Sequence, residues 1–146
     1  MIKAENMVVI NRSADTIFSF LSHGENAPKW RSNVLEVTLL SGTSGQKNAV
    51  YEQVLRGPLG IEIKLPYRIV NLDPPMILTL SDRSTQPRLQ ANYHLKNMGS
   101  TTELTYSLQY NAAGWRKLFS SLMKRELNNE VANLSDLKHY LEKKRT

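Results

Sequence analysis

The feature that most constrains this chain is residues 115–142, which run without a glycine or a proline and are rich in good helix formers. As one helix they would be roughly 40 Å long at 1.5 Å of rise per residue, about twice a typical strand. Such a helix cannot pack beside one strand; it has to cross a whole sheet. Its apolar residues fall in two stripes, Trp115, Phe119, Leu122 and Met123, then Leu127, Val131, Leu134, Leu137 and Leu141. On an ideal wheel the second stripe is rotated from the first, so the helix is expected to bend or roll against a twisted sheet.

The sheet comes from the residues before it. Residues 3–10 read as a first strand, with β-branched residues at its end. Ser13 then reads as a helix N-cap, with Asp15 in the first turn and Ile17, Phe18 and Leu21 on one apolar face. That helix ends at His23-Gly24. A second short turn begins at Asn26, holds Pro28 just inside its start and closes at Trp30. From residue 34 to 110 the hydrophobic period is mostly two, giving strands over 34–40, 49–55, 61–70, 76–81, 90–98 and 101–110. In the third of these Ile61, Ile63, Leu65, Tyr67 and Ile69 share one face, and Pro66 points to an edge or a bulge. The last two read as a hairpin around Gly99. One-sided alternation of this kind means an antiparallel sheet with one covered face.

The expected fold is therefore α+β. A curved antiparallel sheet of about seven strands carries two short helices after the first strand, and a long C-terminal helix crosses it. No internal repeat or linker interrupts residues 1–146, which read as a single domain. A curved sheet closed by one helix leaves an interior that side chains need not fill, a candidate pocket.

Composition narrows the function classes. Apolar residues make up 40% and charged residues 22% of the chain, which excludes a disordered segment. Apolar runs fall far short of the ~20 residues that cross a bilayer, so stable membrane insertion is not expected. No secretory signal is read at residues 1–10, and there are no cysteines, so disulfides and thiolate metal sites are excluded and a cytoplasmic protein is expected. The net charge of +6 concentrates toward the C-terminal helix, where cations suit the helix dipole. The aromatics sit on the apolar face rather than among exposed Arg and Lys, which argues against a nucleic-acid partner.

No catalytic motif emerges. SGTSGQKN (41–48) lacks the ending of a phosphate loop and reads as a hairpin loop. His23, His94 and His139 lack metal-ligand spacing, so neither metal nor cofactor is expected. Glu126 and Glu130 fall inside the apolar sector of the long helix. A carboxylate there needs a cationic partner at the rim, or it serves a cavity as a ligand-binding or proton-transferring group.

The order of elements resembles the START/SRPBCC superfamily with its helix-grip fold, nearest to the polyketide cyclase/dehydrase and lipid-transport branch. The resemblance is carried by INRSADTIFSFLSHGENAPKW (10–30), YEQV (51–54), YRIVNLDPP (67–75), TELTYSL (102–108) and NLSDLKHYLE (133–142). It implies a hydrophobic cavity between sheet and long helix that holds lipids, sterols, polyketides or similar molecules. Plant members carry a richer glycine loop after the second strand; here that loop has only Gly42 and Gly45, so no loop function is carried over. The expected function is binding or transport of a small hydrophobic or amphipathic ligand. The alternative is a cyclase or dehydratase using a cavity Tyr or Glu as acid or base. From the inferred inward faces, the expected lining is Trp30, Tyr67, Tyr93, Leu95, Tyr106, Leu108, Trp115, Phe119 and Leu122, with Glu126 near its polar end.

Overall fold

Strand β1 (Ile2–Ile10) turns at Asn11 and Arg12 into helix α1 (Ala14–Ser22), and a 3₁₀ helix (Gly24–Lys29) follows. The computed structural model describes residues 1–82, 89–111 and 120–143. Six further strands come next: β2 (Val34–Ser41), β3 (Val50–Arg56), β4 (Glu62–Asp73), β5 (Ile77–Asp82), β6 (Leu89–Asn97) and β7 (Thr102–Tyr110). They form one antiparallel sheet in the order β1-β7-β6-β5-β4-β3-β2. Helices α2 (Ser120–Ala132) and α3 (Leu134–Lys143) lie over it, packing chiefly on β1 and β7.

Local chemistry explains the short helices. The Ser13 side chain accepts the Thr16 N–H at 3.3 Å, an N-cap as expected, and Ile17, Phe18 and Leu21 are buried. The loop between β2 and β3 folds back on this corner. Gly45 donates its N–H to the Tyr51 hydroxyl at 2.9 Å, and Ser44 donates to Glu25 at 2.6 Å. The approach at Gly24 is close enough to require glycine: a Cβ there would lie 2.3 Å from the Tyr67 hydroxyl and 3.1 Å from the Tyr51 ring. Those two rings stack with centroids 5.3 Å apart.

The core follows the period-two pattern. On β7 Thr102, Leu104, Tyr106 and Leu108 are buried while the residues between them are not. Leu104, Tyr106 and Leu108 meet Leu127 and Val131 of α2 and Leu134, Leu137 and Leu141 of α3 in one apolar cluster. The bend expected in the C-terminal helix falls at Asn133. Its N–H bonds back to Glu130 O at 3.1 Å, and its carbonyl accepts from Asp136 at 2.9 Å and Leu137 at 3.2 Å, so a new helix starts there.

Two expectations for β4 need correction. Of the face Ile61, Ile63, Leu65, Tyr67 and Ile69, only Tyr67 and Ile69 are buried, and Ile61 and Ile63 are 61% and 45% exposed. The described helices sit over β1 and β7, at the far side of the sheet, and leave this end of β4 uncovered. Pro66 lies in an interior strand and pairs with Glu52 of β3, while the irregularity in β4 falls between Ile69 and Asn71.

Candidate functional site

Between the inner face of the sheet and α2 lies a cavity of about 360 Å³. Its walls are aliphatic over most of their area, from Leu65, Leu80, Ala91 and Leu108 of the sheet and Met123 and Leu127 of α2. A polar cluster of Arg31, Asn33, Gln53, Tyr67, Tyr93, Tyr106 and Glu130 interrupts them.

Arg31 is placed by the end of the 3₁₀ helix. Its N–H bonds to Ala27 O at 2.9 Å, and its carbonyl accepts from Val34 at 3.0 Å, so the side chain is held at the entry to β2. The guanidinium Nε meets Glu130 Oε1 in an ion pair whose partners are each 14% exposed. Nη1 donates to Gln53 Oε1 at 3.2 Å. Glu130 is held from two further sides, by Asn33 Nδ2 at 3.1 Å on Oε2 and by the Tyr106 hydroxyl at 3.5 Å on Oε1. Asn33 Oδ1 is buried with no hydrogen-bond partner among the described residues.

Burial works to lower the Arg31 pKa, but the charge of Glu130 and the hydrogen bond to it prevail, and the guanidinium is displaced upward. The phenols move the same way for another reason. Burial pushes Tyr93 up to about 12. It also raises Tyr67 and Tyr106, with the Tyr93 and Glu130 charges adding to the rise at Tyr106. Tyr93 and Tyr106 stack nearly parallel, centroids 4.4 Å apart, and make a flat aromatic panel in the wall.

The sequence-derived lining separates into groups. Tyr67, Tyr93, Tyr106, Leu108 and Glu126 stand on the wall, with Glu126 exposed one turn before Glu130. Trp30 and Leu95 do not. Trp30 is a buried residue that supports Tyr106 edge-on at 6.2 Å, and Leu95 lies further along β6, where α1 covers the sheet. Trp115 and Phe119 lie outside the described residues, as does the side chain of Leu122. Arg31, Asn33 and Gln53 were missed. The position of Glu130 signalled that some cation had to meet it, but nothing selects Arg31 among 19 Lys and Arg.

The short helices close one end. Phe20, Leu21, Gly24, Ala27 and Trp30 face Arg31, Tyr67, Leu80 and Tyr93 across a void of only about 20 Å³. A wider groove of about 730 Å³ between the 3₁₀ helix and α3 is open to solvent. It lacks the buried ion pair, so the cavity beside α2 is the stronger site. Among the described residues no cluster of His, Cys, Asp and Glu could hold a metal ion, and no helix is long and apolar enough to cross a membrane.

A seven-stranded antiparallel sheet gripped by C-terminal helices around such a cavity is the helix-grip architecture of the START/SRPBCC superfamily. Within it, the chain belongs to the polyketide cyclase / dehydrase and lipid transport family, whose model matches residues 1–142. Comparison with curated proteins returned no match. Among solved structures, the chain is similar to the di-domain ARO/CYC BexL from the BE-7585A biosynthetic pathway. The TM-score is 0.77 at 16% identity, over 97% of this chain and 47% of that one, so this chain spans about half of BexL. A START superfamily protein from Mycobacterium smegmatis matches with a TM-score of 0.76 at 14% identity, over 97% of both chains. The protein TTHA0849 from Thermus thermophilus matches with a TM-score of 0.76 at 10% identity, over 94% of this chain and 95% of that one. At these identities the likeness is one of fold. Family and fold together point to a ligand-binding domain.

Proposed function

We propose that residues 1–146 act as a single START-like domain that binds or carries a small hydrophobic or amphipathic molecule, a lipid, polyketide or similar compound. The ligand lies in the cavity between sheet and α2. The observation that carries this reading is the cavity's combination of volume and lining. About 360 Å³ of space, mostly aliphatic with one polar cluster, fits the ~300–1,000 Å³ and few convergent polar groups of small-molecule sites. The lining comprises Tyr67, Tyr93, Tyr106 and Leu108 with the added Arg31 and Gln53, and Glu126 stands at the rim. A cytoplasmic setting belongs to the same reading.

A cyclase or dehydratase is the second reading, favoured by the Tyr106 hydroxyl beside Glu130. The phenols hold their protons well beyond neutral pH, which suits hydrogen-bond donation to a ligand oxygen more than repeated proton exchange. Extraction and mass spectrometry of the natively purified protein tests both. A co-purifying apolar compound supports binding, and its turnover by the protein would move the reading to catalysis. Ala91→Phe, which places a ring in the cavity, should abolish binding of an apolar fluorescent probe while the protein stays folded. Unchanged probe binding in that variant would place the ligand elsewhere.

A further inference from the structure

The cation in the cavity wall is already answered by a carboxylate of the chain. Glu130 takes one side of the Arg31 guanidinium, Gln53 takes Nη1 at 3.2 Å, and Asn33 and Tyr106 hold Glu130 in place. An arginine with an open fork in an apolar pocket would draw a ligand carboxylate. Here an incoming carboxylate has two choices. It can expel Glu130, breaking its three contacts and leaving that charge in an apolar lining, or it can lie beside Glu130 as a second negative charge. Either is costly out of water. Glu126 adds a further negative charge on the same wall. An uncharged oxygen meets neither cost and can accept a hydrogen bond from a wall phenol such as Tyr93.

We infer that Glu130 is a specificity-determining residue that occupies the anion seat of Arg31 and reserves the cavity for uncharged ligands, such as alcohols, phenols or ketones, rather than carboxylates. The inference rests on the reading of this cavity as a ligand site.

The test uses the whole chain loaded with the neutral probe N-phenylnaphthylamine, displaced by matched pairs at neutral pH: decanol against decanoate, and naphthol against naphthoate. The neutral member of each pair should displace at concentrations lower by at least about tenfold. Glu130→Gln keeps the shape and an acceptor oxygen but loses the charge. It should shift the ratio within each pair toward the carboxylate by about tenfold, and the ratio cancels the different water affinities of the two members. If Glu130→Gln does not fold, the wild type is read with decylammonium against decanoate, both of them ions: the cation should displace at concentrations lower by about tenfold, and decanoate displacing equally well would overturn the inference. Carboxylates binding the wild type as well as their partners, or gaining nothing in Glu130→Gln, would overturn the inference alone. Failure of the probe and every ligand to bind would remove the ligand-binding reading, and this inference with it.

Discussion

Tyr67, Tyr93 and Tyr106 hold their protons because ionising a phenol in the cavity wall would leave its charge out of water. A tyrosine in the unfolded chain ionises near pH 10. Above that, the unfolded chain has released protons that the folded chain keeps. The stability due to these groups is therefore complete below about pH 10 and is lost as pH rises through their folded values. A phenolate absorbance titration should show Tyr67, Tyr93 and Tyr106 keeping their protons beyond about pH 10, and the urea midpoint should fall beyond about pH 10. Ionisation of these three near pH 10 in the folded protein would contradict this. At Arg31 the expectation is asymmetric. Arg31→Met leaves Glu130 buried without its cation and should cost about 3–5 kcal/mol in urea unfolding, whereas Arg31→Met with Glu130→Leu should recover most of that loss. A double variant no better than the single would mean that the pair itself stabilises the fold.

The two short helices between β1 and β2 are the element that depends most on its surroundings, since neither is long enough to persist alone. Ser13→Ala removes the cap and should cost about 1 kcal/mol. Gly24→Ala drives a methyl against the Tyr67 hydroxyl and the Tyr51 ring, and should cost about 1–3 kcal/mol while raising proteolysis at residues 24–30. Hydrogen exchange should find amides of α1 and the 3₁₀ helix opening before those of β7. Equal protection would mean that these helices are held as firmly as the strand. The first helix was legible in the sequence because its signals are local, a cap and an acidic first turn, whereas the second starts at Gly24 and not at Asn26, so Pro28 stands near its end and did not mark its start. The break at Asn133 was legible only as a bend of unknown position. No glycine or proline marks it, and it falls inside the second apolar stripe, between Val131 and Leu134, where the periodicity carries no sign of a break. The uncovered end of β4 was not legible at all, because alternation states which face a residue takes and not whether anything covers it.

At the scale of the molecule, the succession of strands and helices along the chain could be read ahead of the structure, since period-two runs and a Gly-free helix are properties of segments; the place of β1 beside β7 in the sheet could not. The polar cluster could not. Arg31 and Glu130 lie at opposite ends of the sequence and meet only when α2 closes over the sheet. The place of β1 has a consequence in time. It is an edge strand whose ladder is with β7, Ile2 opposite Tyr110 and Ile10 opposite Thr102, and α2 and α3 lie on those two strands. During synthesis β1 is thus an orphan until its partner, about a hundred residues later, has left the ribosome. The nascent chain must keep MVVI (7–10) from pairing with neighbouring chains for several seconds at ~5–20 residues per second. Refolding from denaturant inherits the same long-range closure, which slows folding. A ribosome-stalled chain ending before β7 should expose β1 to chaperones and proteases, and one extended through α3 should bury it.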